Sequence, residues 1–156
     1  MSVYFLDSSA LVKRYVAEIG SGWVVSLCNP TLKNDVFIAA ITAVEITAAI
    51  SRRSRAGSIN IQDATMVYHQ LKNDIESEYQ VIEITDNIIN SGMRLAEKYC
   101  LRGYDAVQLA AAESINTLCI ANGLPQLTFV SADKELNIAA VSAGLLVKNP
   151  HNYSST

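Results

Sequence analysis

The stretch VYFLDSSALVKRY, residues 3–15, decides how the rest of the chain is read. Its first four residues, Val3, Tyr4, Phe5 and Leu6, form an apolar run too short to span a membrane and continuous in the manner of a strand buried on both faces. Asp7 ends that run, and a helical pattern over residues 9–18 follows, with Leu11, Val12, Tyr15 and Val16 on one stripe. Open parallel sheets take ligands in the crevice beyond the carboxyl ends of their strands, so Asp7 stands at a functional address.

Working outward, the same alternation recurs. A Gly-Ser-Gly break leads to a short helix at 23–27 and a loop at 29–35, then a strand at 36–40 and a helix at 42–54 with Gly57 close behind. Residues 62–77 read as a helix, 79–84 as a strand and 86–99 as a helix. The alanine-rich stretch 104–122 reads as a buried helix stopped by Gly123 and Pro125. A strand at 127–130, a helix at 133–143 and an edge strand at 145–148 complete the chain. Strands alternating with helices predict an α/β sandwich with a mostly parallel sheet of about five strands.

The 156 residues, half of them hydrophobic, suffice for one domain with a substantial core and hold no Pro-, Gly- or Ser-rich linker. A single domain over 1–156 is expected, with 151–156 as a loose tail. The formal charge of -3 argues against a protein that coats nucleic acid through a broad basic surface. It leaves room for a nuclease, whose acidic pocket contributes negative charge that bound cations reverse locally. Cys28, Cys100 and Cys119 form no CxxC and are odd in number, so they read as buried apolar residues in a reducing compartment. No stretch has the length of a membrane span and no signal core opens the chain, which points to the cytoplasm.

Four acids fall at equivalent places: Asp7 after the first strand, Glu45 in the first turn after the second, Asp105 at the start of the alanine-rich helix and Asp133 after the strand at 127–130. Each has a plain alternative, since acids at helix N-termini cap free amides. Thr42-Ala43-Val44-Glu45 even has the form of a capping box. Yet Val44 and Ile46 suggest that this helix start is buried, where an unpaired carboxylate is costly. Four independent caps at one sheet edge would be a coincidence; one acidic site would not. Such a cluster suits a hard cation, Mg2+ or Mn2+, bound as one or two ions that activate water and stabilise a departing oxyanion. His69, mid-helix, and His151, in the tail, are remote in sequence from these acids and read as structural or surface residues.

The segments FLDSSALVKRY (5–15), TAVEITAAI (42–50), LRGYDAVQLAAA (101–112) and FVSADKEL (129–136) together resemble the PIN-domain ribonucleases, most closely the VapC-type toxins of toxin-antitoxin pairs. The resemblance covers almost the whole chain and implies a PIN-like three-layer sandwich. It implies that Asp7, Glu45, Asp105 and Asp133 form the catalytic, metal-binding quartet, with Asp7 and Asp105 central and Asp133 acting through water. Ser9 matches the hydroxyl of the family's D-x-S, and Ser131 a position often held by threonine, both supporting the ligands from behind. The implied reaction is metal-dependent hydrolysis of RNA phosphodiesters. The implied partners are RNA, a small antitoxin and a second copy of the chain in a homodimer, with no membrane.

Phosphate contacts are expected from Arg102, next to an acid of the quartet, and from Lys13 and Arg14; Arg52, Arg53 and Arg55 read first as complements to a helix C-terminus. Tyr15, Trp23, Met66, Tyr68 and Leu71 are candidates for an antitoxin groove or, more simply, for the core. The rival readings are a housekeeping PIN nuclease in RNA processing, a PIN module that binds without turnover, and a haloacid-dehalogenase-like phosphatase. The last normally needs an acid two residues after its aspartate, where this chain has Ser9.

Overall fold

The computed structural model describes residues 1–153. Five strands, β1 (Val3–Leu6), β2 (Asp35–Ala39), β3 (Gln80–Ile82), β4 (Thr128–Val130) and β5 (Leu146–Lys148), form one sheet in the order β3-β2-β1-β4-β5, and every pairing is parallel. The helices are α1 (Ser8–Tyr15), α2 (Ser21–Leu27), α3 (Ala40–Arg55), α4 (Ile61–Ser77), α5 (Asp86–Tyr99), α6 (Gly103–Ala121) and α7 (Lys134–Ser142).

The sheet is covered on both faces because β1 alternates into two cores. Val3 and Phe5 join Ile88 and Leu95 of α5, Leu109 of α6 and Leu136 of α7, while Leu6 joins Leu11 of α1, Val24 of α2, Ile46 and Ile50 of α3 and Leu71 of α4. Phe5 and Phe129 stack on adjacent strands with centroids 5.7 Å apart. This is the expected three-layer sandwich. Among the described residues no helix is long and apolar enough to cross a membrane.

The strand order fixes where a ligand can enter. From β1 the chain steps to β2 and β3 with its helices on one face, then returns past β1 to β4 and β5 with helices on the other. The connections leaving β1 and β4 therefore diverge, and diverging connections open a crevice at the carboxyl ends of those two strands. Asp7 and Ser131 are the residues immediately after them.

Four local expectations change. Helix α3 begins at Ala40, with Ala39 as its N-cap and no side-chain cap, so Thr42 lies inside the helix and the capping box does not form. Val44 is 62 % exposed rather than part of a buried helix start. Cys100 is exposed and ends α5 in the left-handed region at φ 55°, while Cys28 and Cys119 are buried. The tail begins with a 3-10 turn, Pro150–Tyr153, whose Tyr153 ring stacks on Trp23 at 4.3 Å; 154–156 lie outside the described residues.

Candidate active site

Asp7 is 3 % exposed, and its surroundings account for every oxygen. Its backbone N–H donates to Val130 O at 3.1 Å, tying the end of β1 to the end of β4. Oδ1 accepts from Ala10 N at 3.0 Å, capping α1, and from Ser9 Oγ at 2.7 Å. Oδ2 accepts from Ser131 Oγ, also at 2.7 Å. Burial nonetheless pushes the Asp7 carboxyl up to about 6, because those three hydrogen bonds offset only part of the desolvation and Asp105 adds repulsion.

The two serines couple the crevice walls. Ser9 Oγ accepts from Ala132 N at 2.9 Å, and Ser131 Oγ accepts from Asp133 N at 3.1 Å. Asp133 is the N-cap of α7 and accepts from Leu136 N at 2.9 Å. Capping and a place in the crevice, opposed as alternatives on sequence grounds, are compatible in Asp7 and Asp133: amides hold carboxylates that stand at the crevice.

Asp105, in the first turn of α6, has its carboxyl raised by burial and then by Asp133 and Glu45, with Arg102 acting in the opposite sense. Glu45 receives Gln108 Nε2 at 3.0 Å. Charge coupling therefore links Asp105 to each of the other three acids, although they come from four separate connections. Among the described residues no three acid, histidine or cysteine side chains are drawn close enough to hold an ion as they stand. The donor set nonetheless fits a hard divalent cation: its atoms are carboxylate oxygens, the Asp7 and Asp105 carboxyls are raised first by burial and then by neighbouring acids, and a cation relieves both.

Not every cation expected at the site faces it. Lys13 is buried, 3.1 Å from Glu18, which also pairs with Arg53. Arg14 lies 2.8 Å from Glu78 and 3.5 Å from Asp74, and donates to Tyr79 Oη at 2.6 Å. Both charges are consumed within the fold. A groove of about 450 Å3 runs from Ser9 and Glu45 past the exposed Tyr104 to Arg52 and Arg53. Arg52, read on sequence grounds first as a helix-end complement, lines this groove with Tyr104, and Gln108 meets Glu45 beside it; Tyr104 and Gln108 are residues that sequence reasoning passed over. Gln108 carried a signal, as the one polar side chain in AVQLAAA, a helical turn beyond Asp105.

Residues 4–140 match the family described as PIN domain. Ribonuclease VapC45 of Mycobacterium tuberculosis (strain CDC 1551 / Oshkosh) is 28% identical over 150 residues, covering 94% of this chain and 95% of the relative. Among solved structures, FitAB bound to the IR36 DNA fragment superposes with a TM-score of 0.67 at 14% identity, covering 95% of each chain. A toxin-antitoxin complex from Klebsiella pneumoniae superposes at 0.58 with 17% identity, covering 94% of this chain and 97% of that one.

Proposed function

The chain belongs to the PIN domain family, and we propose that it is a divalent-metal-dependent endoribonuclease acting as the VapC-type toxin of a toxin-antitoxin pair. The observation that carries this is the coupling of Asp105 to Asp7, Glu45 and Asp133 at the carboxyl edge of the sheet. A ribonuclease of similar sequence over 94% of the chain supports the choice of RNA over other phosphodiesters.

Asp7, Asp105 and Glu45 would hold Mg2+ or Mn2+ directly and Asp133 through water. When bound, the cation supplies a Lewis acid that lets water act as a nucleophile near neutral pH and offsets charge on the phosphate. The chain's own residues do the rest. Ser9, Ser131 and Ala10 N hold both Asp7 oxygens in fixed directions, so Asp7 is the fixed point on which the other carboxylates would close to receive an ion. Arg102, which lowers the Asp105 pKa, and Arg52, at the end of the groove, are the cations positioned to steer a phosphate backbone toward the acids. Hydrolysis then adds water at phosphorus, breaks one P–O ester bond and leaves a hydroxyl on one fragment and a phosphate on the other.

The toxin role is supported by the likeness to Ribonuclease VapC45 and to a chain from a toxin-antitoxin complex. An antitoxin needs an apolar surface on which to dock, and a groove of about 630 Å3 between α3 and α4, lined by Val44, Tyr68, Leu71 and Ile75, offers one. Action in the cytoplasm, as a homodimer, completes the proposal.

The test is cleavage of total cellular RNA by purified protein with Mg2+ or Mn2+, with chelator and Asp105→Asn controls. Cleavage that survives in chelator or in the variant would end the metal-site reading. Growth arrest on expression, relieved by the adjacent upstream gene, distinguishes a toxin from a housekeeping nuclease.

A further inference from the structure

Gln108 is 1 % exposed. Its Nε2 lies 2.8 Å from Thr42 Oγ1 and 3.0 Å from Glu45 Oε1, with Ser8 Oγ at 3.4 Å. The amide nitrogen carries two protons, and the two short bonds use both. The other end of the same group, Oε1, is buried with no partner among the described residues. An unpaired buried acceptor is costly, and an aliphatic side chain among Ala106, Leu109 and Ala110 would avoid the cost.

The orientation of the amide has one evident cause. A half-turn of the amide would let Oε1 accept from the Thr42 hydroxyl. It would also set that oxygen against Glu45 Oε1, acceptor against acceptor, in a buried place. Glu45 therefore decides which way the amide points. A lysine or arginine there would also donate, but its charge would compete with a cation for the same carboxylate. A neutral donor fixes Glu45 and leaves its charge available.

We propose that Gln108 is a positioning residue for the metal site: by holding Glu45 Oε1 it fixes the direction of the carboxylate that would serve as a ligand. The inference rests on the metal-dependent nuclease reading. Gln108 touches neither substrate nor ion, and acts only through Glu45.

The test is Mn2+ affinity of the full-length protein, read by electron paramagnetic resonance, alongside thermal melting. Gln108→Met, of similar length and without the amide, should weaken Mn2+ binding about tenfold or more while the protein still folds. Thr42→Val removes the other acceptor of the same amide; it should lower the melting temperature yet leave Mn2+ affinity within about threefold, well short of the tenfold expected of Gln108→Met. In a Glu45→Gln background, Gln108→Met should have little further effect, because Gln108 acts only through the charged ligand that Glu45→Gln takes away. Should Gln108→Met not fold, Gln108→Asn, which keeps an amide but withdraws it by one methylene, carries the same expectation. Unchanged Mn2+ affinity in the folded Gln108 variants, equal loss in Thr42→Val, or additive effects with Glu45→Gln would overturn the role of Gln108 alone. Wild-type protein that binds no Mn2+, or binds it equally well as Asp7→Asn, would take the metal-site reading down with it.

Discussion

Ser131 donates to Oδ2 of Asp7 at 2.7 Å although 124 positions separate them in the chain. The same hydroxyl accepts from the Asp133 amide, so one oxygen atom links β1, β4 and the start of α7. Ser131→Ala strips a buried carboxylate oxygen of its donor and an amide of its acceptor. It should destabilise the protein by about 1–3 kcal/mol in urea unfolding. Since this hydrogen bond lowers the Asp7 pKa, its loss should also move the Asp7 titration above its wild-type position, which carbon NMR of the carboxyl group would read.

Asp7 makes the metal-free protein pH-dependent in an unusual direction. Its carboxyl rises from the ordinary 3.8 to about 6 in the fold, so the folded state holds a proton that the unfolded chain releases. The stabilisation this confers is complete below about 4 and is lost as pH rises through about 6, amounting to on the order of 3 kcal/mol. Asp7→Asn should lack this dependence and be more stable than wild type at pH 7 in chelator, by about 1–3 kcal/mol. Denaturant titrations of both proteins at pH 4 and pH 7 decide the matter; equal slopes with pH would refute it.

Asp105→Asn separates function from stability. Burial, and after it repulsion from Asp133 and Glu45, raises the carboxyl of Asp105, so neutralising it should leave the melting temperature in chelator unchanged or higher. Saturating Mn2+ should stabilise wild type by about 2.7 kcal/mol at a hundred times the Kd, and the variant should lose most of that increment. RNA cleavage by the variant should fall by more than the ~100-fold that loss of a supporting contact can cost.

Lys13 and Arg102 should behave in opposite ways. Lys13 is 4% exposed beside Glu18, so Lys13→Met leaves Glu18 without that cation and should cost about 2–3 kcal/mol of stability. Its effect on KM for RNA should be small. Arg102 is exposed and close enough to Asp105 to lower its pKa, so Arg102→Gln should change stability by less than about 0.5 kcal/mol and raise KM. Melting curves and single-site RNA cleavage on the two variants form one paired experiment.

What the sequence made legible follows from how local each signal is. Helix α5 spans Asp86–Tyr99 as its pattern predicts, because Thr85 caps it and the apolar stripe of Ile88 and Leu95 is unbroken. The central strand was legible because both its faces are apolar, and its terminal Asp7 because polar residues do not continue such a run. The start of α3 was not, since it depends on where β2 leaves the sheet at Ala39, a tertiary matter that Thr42 and Glu45 only imitate with a capping pattern. Lys13 read as a phosphate contact because its partner Glu18 lies beyond the helix end, and Glu18 is itself held by Arg53 of α3, 35 positions away. Gln108 acquires its meaning only when α6 meets α3, a contact 63 positions apart.

The bond between Asp7 and Ser131 also sets a schedule. Residues of β1 leave the ribosome well over a hundred residues before the strand that pairs beside them, Thr128–Val130, and the serine that holds Asp7 Oδ2 from 124 positions away. The central strand must wait, and the acid at its end waits with it. A nascent chain that stops short of Thr128 carries Asp7, Ser9 and Ala10 but lacks the Ser131 hydroxyl that holds Asp7 Oδ2.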